Sequence, residues 1–172
     1  MQATVRTDTF ISDAELERIG EDNPGWNVER IDGGVVMSPT NFPTELVNMR
    51  LGAALVEWGD RHGYLAFGSS GGLKLPNNDV LSPDGGLLSR DRWDAAPDDV
   101  REGYSRIVPD VIVELASPSD SRSRLRKKCA RWHRDGATFV VMIDPEAGSV
   151  ETWGTPLPGL DIDWAAFARM RF

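Results

Sequence analysis

Residues 106–115 read RIVPDVIVEL, residues 121–134 read SRSRLRKKCARWHR, and residues 138–144 read TFVVMID. The first and third runs are nearly continuous, β-branched and apolar, the pattern of strands buried on both faces in a sheet interior. The basic run between them has a narrow apolar stripe, Leu125, Cys129 and Trp132, at helical spacing, and Gly136 ends it. Strand, helix and strand in that order favour a parallel pair joined by a right-handed crossover. Gly148 then predicts a hairpin from TFVVMID into VETW.

Working outward, Ser12 or Asp13 caps a short helix through AELERIG, and WNVERIDGGVVMS reads as a hairpin turning at Asp32-Gly33. Pro43 suits the first turn of a longer helix. Val47, Leu51, Ala54, Leu55 and Trp58 recur along it at helical spacing until His62-Gly63. YLAFGSS, GGLKLP and DVLSPDGGLLS follow as strand-like pieces, the last interrupted around Asp84, and 91–103 reads as a polar surface loop or short helix. A chain of 172 residues buries about 70% of its unfolded surface as one unit, so a single domain over 1–172 is the expectation.

The composition is 40% apolar and 27% charged, and no apolar run approaches the ~18 residues of a membrane helix. With no apolar signal segment in MQATVRTDTF, a cytoplasmic setting without membrane attachment is expected. One cysteine, Cys129, and two histidines make a Cys/His zinc site improbable, so any metal takes oxygen ligands. The net charge of −8 argues against a protein that coats nucleic acid. Yet seven of the 19 basic residues fall between Ser121 and Arg134, a local patch on an acidic body.

Strand alternation puts Asp110, Ile112 and Glu114 on one face. An ionised Glu114 at the end of an apolar strand needs a cation or a hydrogen-bonding partner. A divalent ion shared with Asp84 would meet that need, and a helix cap or an arginine pair would meet it as well. Asp84 before Gly85 is, alone, a turn signal. Lys128 lies about 40° from Trp132 on the helical wheel, nearest of the helix's cations to the buried face. It is placed either to set its ammonium near Glu114 or to snorkel along the stripe. Glu45 falls in the first turn of the long helix, where a carboxylate suits the dipole of any helix. Ser117 and Ser119 read as helix-cap candidates.

The joint order VERIDGGVVMSPTNFPTE, LSPD, VPDVIVELASPSD and RKKCARWHRDGATFVVMIDPEAGSVETW resembles the Uma family of restriction-endonuclease-like proteins, a branch of the PD-(D/E)XK nuclease superfamily. The resemblance implies a single α/β (α+β) domain of restriction-endonuclease-like fold, a mixed central β-sheet flanked by helices. By analogy Asp84 is the PD aspartate and Glu114, 30 positions on, the second acid. The superfamily lysine belongs two residues after Glu114, where this chain has Ala116, so the resemblance shifts that role to Lys128 on the next helix. Glu45, where many relatives carry histidine, is implied as a third metal ligand. The implied activity is Mg²⁺ (or Mn²⁺) dependent cleavage of DNA. Asp84, Glu114 and Glu45 hold the metal, Lys128 orients the nucleophile, and Arg124 and Arg131 receive flanking phosphates. A homodimer follows by analogy with nucleases that use two sites. The alternative is a catalytically degenerate module that binds nucleic acid or a protein partner through the basic helix.

Overall fold

The computed structural model describes residues 3–5 and 10–170. After β1 (Ala3–Val5), α1 (Asp13–Asp22) opens with a reciprocal cap: Ser12 Oγ accepts from the Glu15 N–H, and Glu15 Oε2 accepts from the Ser12 N–H at 2.9 Å. β2 (Trp26–Ile31) and β3 (Gly34–Pro39) form the expected hairpin. Asp32 (φ 51°) and Gly33 (φ 76°) both take the left-handed conformation that a two-residue turn of this hand requires. Asn41 caps α2 (Phe42–His62), and Gly63 at φ 75° closes it.

β4 (Tyr64–Gly68), β5 (Leu73–Lys74), β6 (Val80–Leu81) and β7 (Gly85–Ser89) follow. The 91–103 stretch coils into α3 (Arg90–Ala95) and α4 (Asp98–Arg101). β8 (Val111–Leu115), α5 (Arg122–Arg134) and β9 (Phe139–Asp144) are the strand, helix and strand read from sequence, and β8 and β9 pair in parallel. β10 (Ser149–Gly154) and α6 (Trp164–Ala168) complete the chain.

The central sheet, ordered β10-β9-β8-β7-β4, is mixed: only β8 and β9 run parallel. A second, wholly antiparallel sheet, β1-β3-β2-β6-β5, was not foreseen as a separate layer. DVLSPDGGLLS is therefore two strands in two sheets, with Asp84 in the crossing between them. The cap of α5 also differs from expectation. Ser121 performs it, because Asp120 accepts the Ser117 N–H and curls 117–120 into a turn ahead of the helix.

Every residue of β8 is buried, as its apolar run requires. Val111, Val113 and Leu115 pack under Leu51, Leu55 and Trp58 of α2. Ile112, with Val140 and Met142, packs against Cys129 and Trp132 of α5 and against Leu73, Leu75 and Leu81 of the second sheet's side. Two different elements thus rest on one face of the central sheet. The groove between α5 and the second sheet ends on the face that carries Glu114.

Candidate active site

β7 and β8 pair antiparallel with Gly85 opposite Val113, so one rung further sets Asp84 opposite Glu114. Asp84 stops the ladder there: its Oδ2 accepts the Leu115 N–H at 2.7 Å, replacing a main-chain partner with a carboxylate. The break in the strand and the placement of the acid are one event. Glu114 is 2% exposed, and its Oε1 accepts from Trp132 Nε1 at 2.7 Å.

Lys128 reaches this floor from α5. Its Nζ lies 3.0 Å from Glu114 Oε1 and 2.8 Å from Glu29 Oε1, and it donates to the Ser82 carbonyl at 2.9 Å. Glu29, from β2, also accepts the Ser82 N–H at 2.8 Å. Alternation along β2 explains its direction. Arg30 turns the other way, to Asp13 and the main chain of Ile11 and Asn78, leaving Glu29 to face the groove. Sequence reasoning missed Glu29. No local signal marks it: Glu29 stands beside Arg30 in a hairpin of mixed polarity, and its partner Lys128 is 99 residues away.

Burial pushes the Glu114 carboxyl up to about 8; the Lys128 ammonium opposes the shift, and Asp84 and Glu29 add to it. Burial likewise raises Asp84 to about 6, against the pull of the Leu115 N–H and Lys128. Burial alone would lower Lys128, but Glu114, Glu29 and Asp84 outweigh it and hold the ammonium well above the usual lysine range. Lys128 is therefore a fixed cation and no proton acceptor. Burial also drives the Cys129 thiol far up, so it supplies no thiolate nucleophile.

A groove of about 1490 Å³ opens above this floor. α5 forms one wall, β2 and β3 the other, and the start of α2 closes an end. Arg124, Arg131 and Glu45 all line it. Arg131 is braced by Asp79 (2.6 Å), Asn77 (2.7 Å) and Asp135 (3.3 Å). Glu45 is exposed on α2. Among the described residues no three His, Cys, Asp or Glu side chains form a group that could hold an ion, whether the third is Glu45 or Glu29.

The donor chemistry at that floor nonetheless fits a hard divalent cation. Three carboxylates face one ammonium, so full ionisation leaves a charge excess that a cation would neutralise. Mg²⁺ is commonly held by one or two carboxylates, with water and substrate phosphate completing the shell. Asp84 and Glu114 are the pair that fit this pattern.

The comparisons with known proteins give the family and the fold. The Uma2 family model, described as "Putative restriction endonuclease", matches residues 13–161. A crystal structure of a "putative nuclease belonging to DUF820" from Anabaena variabilis aligns with a TM-score of 0.66 at 16% identity, covering 89% of this chain and 98% of that one. At that identity the likeness shows a shared fold alone. No curated protein matches. No helix among the described residues is long and apolar enough to cross a membrane. The family match spans α1 to the segment after β10, including Asp84, Glu114 and Lys128, and the chain belongs to the Uma2 family of restriction-endonuclease-like proteins.

Proposed function

We propose that this protein is a Mg²⁺-dependent endonuclease that hydrolyses phosphodiester bonds of DNA at the Asp84–Glu114 floor, with Mn²⁺ as a substitute ion. One observation carries the reading: the carboxylate of Asp84, just ahead of β7, stands beside the end of β8 that carries Glu114, with a pinned ammonium next to Glu114, at the base of an open groove. Asp84 and Glu114 hold the ion. When bound, it supplies a lowered water pKa and neutralises charge on the scissile phosphate.

The remaining roles belong to the chain itself. Lys128, protonated throughout, offers a fixed positive charge to the phosphate oxygens and aligns the attacking water. Glu29 holds Lys128 from the far wall and is a positioning residue. The Trp132 N–H fixes the orientation of Glu114, leaving one carboxylate oxygen for the groove. Arg124, on the groove-facing side of α5, receives a flanking phosphate, while Arg131 adds charge from its braced position.

The reading extends to a homodimer through α2. Phe42 (76% exposed), Met49 (68%) and Val56 (48%) alternate with Leu46 and Ala53 at the 4-3 spacing of a helix–helix seam. Antiparallel self-pairing about a two-fold axis sets Met49 against the small Ala53 and Leu46 against Val56.

A second reading, a non-cutting binding module, is favoured by the Lys128 ammonium, whose three acceptors are already in place as in a structural ion pair. Plasmid nicking separates the two. The wild type nicks DNA only with Mg²⁺ or Mn²⁺, and Glu114→Ala, checked for fold by circular dichroism, does not. Nicking that persists in the folded variant would sink the endonuclease assignment at this site.

A further inference from the structure

The two walls of the groove differ in charge. All its lysines and arginines stand on α5, where Arg124, Lys127 and Arg134 span about 15 Å with the braced Arg131 between them, and the acids on that side, Asp120 and Asp135, lie at the two ends of the helix. The facing wall and the closing end carry Glu29, Asp32 and Glu45 and, among the described lining residues, no cation. That side offers instead the amides of Asn27, Asn41 and Asn48 and the hydroxyl of Thr44. Asn48 Oδ1 is buried and has no hydrogen-bond partner among the described residues.

A duplex presents two phosphate backbones, and a surface that grips both needs cations for each. Here the second backbone would meet acids, on a chain already at −8. A single strand has one backbone, which α5 matches, and free base edges, which amides and hydroxyls can hydrogen-bond. We infer that the groove takes a single, unpaired polynucleotide strand, its phosphates along α5 and its bases toward β2, β3 and the start of α2. This rests on the endonuclease reading of the floor and adds the substrate class.

The test uses one labelled DNA oligonucleotide, alone and annealed to its complement, with wild-type protein. Cleavage is followed with Mg²⁺, and binding by fluorescence anisotropy without metal. The inference predicts that the single strand is cut and bound better than the duplex by about tenfold or more. It also predicts that Glu45→Lys, which places a cation on the acidic side, narrows that ratio by strengthening duplex binding. Equal or faster cutting of the duplex overturns the inference and leaves the endonuclease reading standing. If neither is cut, the endonuclease reading fails. The metal-free anisotropy then decides the inference alone: a single-strand preference sustains it, and equal or tighter duplex binding overturns it.

Discussion

Lys128 Nζ and Glu114 Oε1 lie 3.0 Å apart at the base of the groove, joining the middle of α5 to the buried end of β8. Each makes the other tolerable: the ammonium offsets the burial of Glu114, and the carboxylates keep the lysine charged. Breaking one partner of such a pair strands the other, at a cost of about 3–5 kcal/mol.

Replacing the cation should therefore be a pH-dependent injury. Lys128→Met is predicted to lose about 3–5 kcal/mol of stability at pH 8, where the stranded carboxyls are held protonated in the fold although the unfolded chain ionises them, and much less at pH 5, where Glu114 and Asp84 carry protons in either protein. Urea unfolding at the two pH values measures the difference. An equal loss at both would show that Lys128 acts only by packing.

The wild type should show a related pH dependence. Glu114 and Asp84 titrate in the fold at about 8 and about 6, above their ordinary values of 4.5 and 3.8. The folded state thus binds more protons than the unfolded one, and these two groups lower stability as pH rises from about 4 through 8. Asp13 and Asp144 shift downward, so their stabilisation is present above the ordinary carboxylate range and is lost as pH falls through their folded values. Metal-free stability should peak in mildly acid solution, and added Mg²⁺ should restore most at the alkaline end. Urea midpoints across pH, with and without Mg²⁺, follow both effects.

Glu29 separates positioning from folding. Glu29→Gln keeps an oxygen for the Ser82 N–H but removes the charge that holds Lys128 from the second sheet. The expected result is a drop in kcat of about tenfold or more with little change in KM, and a shifted alkaline limb in the pH–rate profile. Glu29→Leu also leaves the Ser82 N–H unsatisfied and should cost a further ~1–3 kcal/mol of stability.

Trp132→Phe removes the indole N–H from Glu114 and keeps most of the buried ring. Loss of that donor should raise the Glu114 pKa further, destabilise the fold by about 1–2 kcal/mol, and weaken metal binding at neutral pH. The same binding should recover above pH 8. A metal affinity unchanged at both pH values would detach Trp132 from the site.

Local pattern carried much of this structure. The apolar run of β8, the stripe of α5 and the turn at Asp32-Gly33 each reflect a short-range rule, and alternation plus the helical wheel put Glu114 and Lys128 on converging faces. What stayed hidden depends on contacts distant in sequence. β5 and β6 have two residues each, too few to show a period, so the second sheet left no clear trace. With that layer unseen, Glu29 had no reason to be singled out, and Trp132 counted only as core. Arg131 looked like a free phosphate ligand because its brace, Asp79, is 52 positions earlier. Ser117 and Ser119 resembled caps because the turn closed by Asp120 comes between them and the helix.

Calorimetric titration of Mg²⁺ and Mn²⁺ into the wild type and into Asp84→Ala/Glu114→Ala at pH 8 tests the central claim most directly. The account predicts saturable, metal-specific heat and proton release in the wild type and neither in the double variant. The same heat in both proteins, or none in the wild type, would contradict a metal site built on Asp84 and Glu114.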